Sequence, residues 1–117
     1  MGQDETLDKR SALRYNPNVE RIGEPESFEW DEGNSNKNLS KHNVEDREAE
    51  EVFFDPRRRL YPDPKHSQGE TRRIVVGKTE RGRLLFVVFA VRNQRVRVIS
   101  ARDLNKAREA GLYEEAT

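Results

Sequence analysis

The chain has no cysteine among its 117 residues. That excludes disulfides and thiolate metal ligands, and it suits a reducing compartment. Long apolar runs are missing as well: none approaches the roughly 20 residues that span a bilayer. The N-terminal MGQDETLDKR has no apolar core of the kind a secretory signal needs. A soluble, cytoplasmic protein with no membrane partner is therefore expected. Hydrophobic residues are scarce, at 32% against 38% charged, so part of the chain is expected to stay outside any packed core. His42 and His66 are the only histidines and stand far apart. They make a poor zinc site, and no Gly-rich loop of the nucleotide-cradling kind is present. No metal and no cofactor is expected.

Neither sign of charge is in excess overall, with 22 Lys and Arg against 22 Asp and Glu, but the balance conceals a segregation. Residues 1–51 carry 7 basic and 14 acidic side chains, and residues 52–117 carry 15 basic and 8 acidic ones. Such asymmetry fits a basic working surface for a polyanion as well as a fold whose charges simply segregate.

The length allows one domain. Residues 1–26 have scattered apolar positions without a period, two prolines and many charges, and are expected to form a disordered extension. In SFEWDEG, Phe28 and Trp30 fall on one side of a short strand, and Asp31 can cap a helical segment in GNSNKNLSKHNV. EDREAEEVFFD brings Ala49, Val52 and Phe53 onto one helix stripe that ends before Pro56. A short strand at RRRLYP follows, then a loop with prolines and Gly69. Three strands are expected near 71–78, 83–91 and 95–101, the middle one central because it is apolar on both faces. Asn93 marks a tight hairpin. Asp103 can cap a last helix in LNKAREA, leaving 113–117 as a tail. The fold class is α+β: an antiparallel sheet of about four strands, packed by N-terminal helices and a C-terminal helix over 27–112. One sheet face should remain partly open.

RVRVISAR, residues 95–102, sets arginine on the polar half of a strand close to the core. A charge in mid-strand is costly without a partner anion, which singles out Arg97. Arg97 and Arg102, five apart, would face opposite ways on a regular strand and can converge only if the strand bulges or ends near Ser100.

Five landmarks in this order, FEWDEGNSNKNLSKHNV, EVFFDP, DPKHSQGETR, RGRLLFVVF and VRVISAR, closely resemble the BrnT-type toxins. These are ribonucleases of type II toxin–antitoxin pairs, similar to the RelE and ParE group, and the resemblance covers about residues 28–110. Asn43 stands where many members have Gly, and Glu70-Thr71-Arg72 where many have Glu-Glu-Arg. The resemblance implies a small RelE-like domain that cleaves RNA without a metal. It also implies neutralisation by a BrnA-like DNA-binding antitoxin, with operator DNA bound only through that complex. Cleavage beside a 2′-hydroxyl needs a base, an acid and cations for the developing phosphorane charge. His66 and Glu70 are candidates for the proton transfers, and Arg72, Arg97 and Arg102 for the charge. Arg73, Arg81, Arg83 and Ser100 are candidate RNA contacts. Each has a plain structural alternative: a solvated loop histidine, a surface ion pair for Glu70, a strand end for Arg83, and snorkelling for Arg97. A noncatalytic nucleic-acid- or partner-binding module on the same fold is the competing function.

Overall fold

The computed structural model describes residue 25, residues 27–64 and residues 69–113. The extension expected over 1–26, apart from Pro25, lies outside the described residues, and so does His66.

Two short helices come first, α1 over Lys37–His42 and α2 over Asp46–Glu51, the second running on into a 3-10 turn at Val52–Phe54. Four strands follow: β1 Arg59–Pro62, β2 Arg73–Lys78, β3 Leu84–Arg92 and β4 Arg95–Asp103. Helix α3, Lys106–Glu109, and a 3-10 turn at Ala110–Leu112 close the described chain. The sheet is an antiparallel meander in the order β1-β2-β3-β4, so the expected α+β arrangement is present and β3 is internal.

Local chemistry accounts for the helices. A capping box starts α2, in which Glu45 and Glu48 satisfy each other's backbone N–H groups. The stripe Ala49, Val52 and Phe53 then turns inward and is buried. Asp31 does not cap α1. Its carbonyl accepts from the Asn34 and Ser35 amides and its Oδ1 from the Gly33 amide, closing a turn ahead of the helix. The start of α1 is tied instead to α2, through bonds from Ser35 Oγ and the Asn36 amide to Asp46.

The first sheet face carries the larger core. Leu60, Val75, Leu85, Val87, Phe89, Val96 and Val98 pack there against Val44, Ala49, Val52 and Phe53. Phe28, Phe53 and Phe89 meet edge to face at centroid distances of 5.3 and 4.9 Å, an arrangement that adds to their area burial. The outer edge of β4 is covered rather than left open. Phe28 bridges Val96, the Asn34 side-chain Nδ2 donates to Val98 O, and Asn38 Oδ1 accepts from Ala101 N. Both asparagines are buried.

The second face is only partly covered, by Leu104, Leu112 and Tyr113 over Tyr61, Val76, Leu84 and Phe86. Tyr113 is 7% exposed, and its hydroxyl donates to Asp55 at 2.7 Å. This ring completes the second core. At the β3–β4 hairpin Asn93 and Gln94 both have positive φ, 51° and 68°. That is the backbone of the two-residue turn matched to strand twist.

Candidate functional site

Register decides which arginines meet. Along the β3–β4 ladder Ala90 pairs with Arg97, Val88 with Ser100 and Phe86 with Arg102, with a shift between Val88 and Phe89. Ile99 is left over as the extra residue of a bulge. Residues directly opposite share a face, and residues 86, 88 and 90 of one strand share it too. The bulge therefore brings Arg97, Ser100 and Arg102 onto the second face together, which five-residue spacing on a regular strand forbids.

Arg97 is the best-held member. Its side chain is 13% exposed. Its guanidinium forks onto the Asp31 carboxylate at 2.9 and 3.0 Å, and Nη1 also donates to Glu29 at 3.2 Å. Gly33 makes room for this: a Cβ there would lie 2.7 Å from Arg97 Nη2. Beside it Arg92 donates from Nε to Glu70 and from Nη2 to the other Glu70 oxygen at 2.9 Å. The Arg92 hydrogen bond holds the Glu70 carboxyl below its ordinary pKa, and the charges of Arg92, Arg72 and Arg97 add to the effect. Asp31 is lowered chiefly by its bond from Arg97 and then by the Gly33 amide. Arg97 is raised in return, first by Asp31, against the cost of its burial.

The sequence candidates thus separate into groups. Glu70, Arg72 and Arg97 gather at the hairpin end of the second face. Ser100 and Arg102 lie farther along it. Arg102 stacks 4.1 Å from the Phe86 ring centroid and forks onto Glu109 at 2.9 and 2.8 Å. Arg73 pairs with Phe89 and so belongs to the first face. Arg81 is exposed in the turn between β2 and β3. Arg83 is a clamp. It donates to Asp103, Glu48 and the carbonyls of His42 and Asn43, joining both N-terminal helices to the end of β4.

Sequence reasoning passed over Arg92, Glu29 and Asp31 as site residues. Their signal was present in part. In FEWD the alternation that turns Phe28 and Trp30 inward sets Glu29 and Asp31 on the other side, and Arg92 is in phase with Phe86 and Ala90 on β3. Glu109, the partner of Arg102, carried no comparable signal. Among the described residues no group of three His, Asp or Glu side chains is arranged to hold a metal ion.

What this geometry can do chemically is hold a phosphate. Fork-shaped donors on a rigid strand, with a hydroxyl and a carboxylate on the same face, suit an anion that gains charge during reaction. Comparison with known families gives a match over residues 30–108 to the model described as ribonuclease toxin, BrnT, of type II toxin–antitoxin system. Comparison with curated proteins returned no match.

Proposed function

The chain belongs to the BrnT family and is a ribonuclease toxin of a type II toxin–antitoxin system; from that premise we propose that it cuts RNA without a metal ion, at a phosphate held by Arg97. The observation that carries this reading is the Arg97 guanidinium, largely buried in mid-strand and presented as a fork beside Glu70. Glu70 and His66 share the two proton transfers: one takes the 2′-hydroxyl proton as the oxygen attacks phosphorus, the other protonates the departing 5′-oxygen. Arg97 and Arg72 offset the charge that develops on the phosphoryl oxygens, Ser100 donates a hydrogen bond to one of them, and Arg102 meets the RNA farther along the face.

The carboxylates of Asp31 and Glu29 hold the Arg97 fork. They keep it oriented, and phosphate takes their place. Asp31 is 57% exposed on its side chain, so an anion from solvent can reach the pair.

RNA and a cognate antitoxin are the partners the family implies. We assign the antitoxin to the BrnA-like DNA-binding type, with operator DNA bound only through the complex. The fold is read as RelE-like, the toxin domain as residues 27–112, and the compartment as the cytoplasm. Among the described residues no helix is long and apolar enough to cross a membrane. The test uses purified protein and RNA in EDTA. Cleavage persists there, and Arg97→Ala lowers it by on the order of 10²-fold, as loss of a transition-state donor does. A strict requirement for a divalent metal overturns the mechanism.

A further inference from the structure

Arg92 is the last residue of β3, and the register sets it directly across the hairpin from Arg95. Like charges in that position work against a strand pair. Positions that break such a local rule are where functional groups are found. Arg92 shares the second face with Ala90 and Phe86, and hence with Arg97, the partner of Ala90.

Three carboxylates meet these two guanidiniums. Arg92 forks onto Glu70, with Nε on one oxygen and Nη2 on the other, the second bond being 2.9 Å. Its Nη1 stands 3.8 Å from Glu29 Oε1, the atom that also accepts from Arg97 at 3.2 Å. Asp31 takes the Arg97 fork itself. Glu29 thus links the two guanidiniums, and through them Glu70 is fixed relative to Arg97. The bond from Arg92, aided by the charges of Arg72 and Arg97, also keeps the Glu70 carboxyl ionised at neutral pH. A group that starts ionised can take a proton and has none to give.

Glu70 comes from the segment between β1 and β2 and not from a strand. A carboxylate on such a segment gains a direction from a two-point contact made by the end of a strand. The two side chains are 45% and 29% exposed, and pairs of that kind add little to stability. The effect of the contact falls on the rate and not on the fold.

We propose that Arg92 is a positioning residue that, by holding both oxygens of Glu70, sets this carboxylate as the base of the cleavage step. The assignment rests on the reading of Glu70 and Arg97 given above. Glu70 takes the 2′-hydroxyl proton as the 2′-oxygen bonds to phosphorus. The P–O5′ bond breaks, and the 5′-oxygen receives its proton from a different group.

The test uses the full chain with Arg92→Met, Arg92→Lys, Glu70→Gln and the Arg92→Met/Glu70→Gln pair, with melting curves as the folding control. The substrate is a 2′-O-methyl oligonucleotide with one 2′-hydroxyl, so that one bond can be cut. It is made with either oxygen or sulfur at the 5′ leaving position, because a thiolate leaves without an acid. Arg92→Met should lower kcat by on the order of 10²-fold with KM held, the cost of a catalytic group displaced by about 1 Å. Arg92→Lys, which keeps the charge and gives up the fork, should fall between Arg92→Met and the parent chain. The double variant should be no slower than Glu70→Gln alone, because Arg92 acts through Glu70. Sulfur should leave both defects in place, since it relieves the loss of an acid and not of a base. A raised KM with kcat held, or losses that add in the double variant, would make Arg92 a phosphate ligand and overturn the proposal. So would recovery of Glu70→Gln on the sulfur substrate, which would make Glu70 the acid. Failure of the underlying reading looks different: Glu70→Gln or Arg97→Ala cuts at the parent rate, whatever the Arg92 variants do.

Discussion

Arg83 and Arg97 are chemically identical and do different work, and the difference lies in what surrounds them. Arg83 spends its donors on Asp103, Glu48 and two carbonyls of the chain around Asn43. Those carbonyls are at the end of α1, where the helix has unpaired acceptors and favours a cation. Arg97 spends its donors on two carboxylates, groups that an incoming phosphate can replace. Arg83→Ala should therefore destabilise the fold by on the order of 2 kcal/mol, the range for hydrogen bonds to charged groups. Cleavage per folded molecule should change little. Denaturant titration and an activity assay on the same preparations check this. A stable Arg83→Ala protein with cleavage reduced as far as in Arg97→Ala would move Arg83 into the site.

At the scale of elements, the bulge at Ile99 and the β3–β4 hairpin decide what the second face presents. The strands were legible in the sequence because each has a sustained pattern: an apolar run for β3, and alternation of arginine and valine in β4. The helix stripe of Ala49, Val52 and Phe53 was legible for the same reason. The bulge was visible only as a condition, since spacing says that Arg97 and Arg102 conflict and not how the conflict is resolved. The pairs Asp31–Arg97 and Glu70–Arg92 join residues 66 and 22 positions apart. Such contacts follow from register and packing, which no local pattern encodes. Asp31 shows the limit well. Local chemistry predicts a helix cap, and its amide bonds are local indeed, but its carboxylate is drawn 66 positions along the chain to a guanidinium. The hairpin supports a prediction of its own. Gln94 holds φ at 68°, a conformation that costs a non-glycine residue about 1–2 kcal/mol. Gln94→Gly should stabilise the domain by roughly 0.5–1 kcal/mol after the entropic cost of glycine. That corresponds to a rise of a few degrees in Tm, with RNA cleavage unchanged. A lower Tm would mean that the Gln94 side chain contributes more than its backbone strain costs.

At the scale of the molecule, the acidic N-terminal half and basic C-terminal half are stitched together by charge. Asp31 and Glu29 reach Arg97, and Glu48 reaches Arg83; within the basic half, Asp55 accepts from the Lys78 amide at 2.7 Å. Asp31, Asp55, Asp103 and Glu109 bear the pH dependence of the fold. Asp103 is lowered first by Arg83, and Glu109 first by Arg102. Burial pushes Asp55 up, but bonds from the Lys78 amide, the Tyr113 hydroxyl and the Arg57 amide together hold it below its ordinary value. Asp31, Asp55, Asp103 and Glu109 are each more acidic in the folded chain than in the unfolded one. The unfolded chain therefore binds protons first as pH falls, and acid favours it. Their stabilisation is complete above the ordinary values of 3.8 for Asp and 4.5 for Glu, and is lost as pH drops through the lower folded-state values. Tm should accordingly be insensitive to these carboxyls from neutrality down to about pH 5 and fall steeply below it. The same reasoning constrains catalysis. Glu70, held low by Arg92, stays ionised throughout the neutral range, so an inflection of the cleavage rate between pH 5 and 8 belongs to another group. Imidazole is the side-chain type that ordinarily titrates in that window, which makes His66 the residue to substitute. Melting curves and rate profiles over the same pH series separate the two effects. A Tm at pH 3 equal to that at pH 7 would show that the interactions of these carboxyls contribute nothing to the fold.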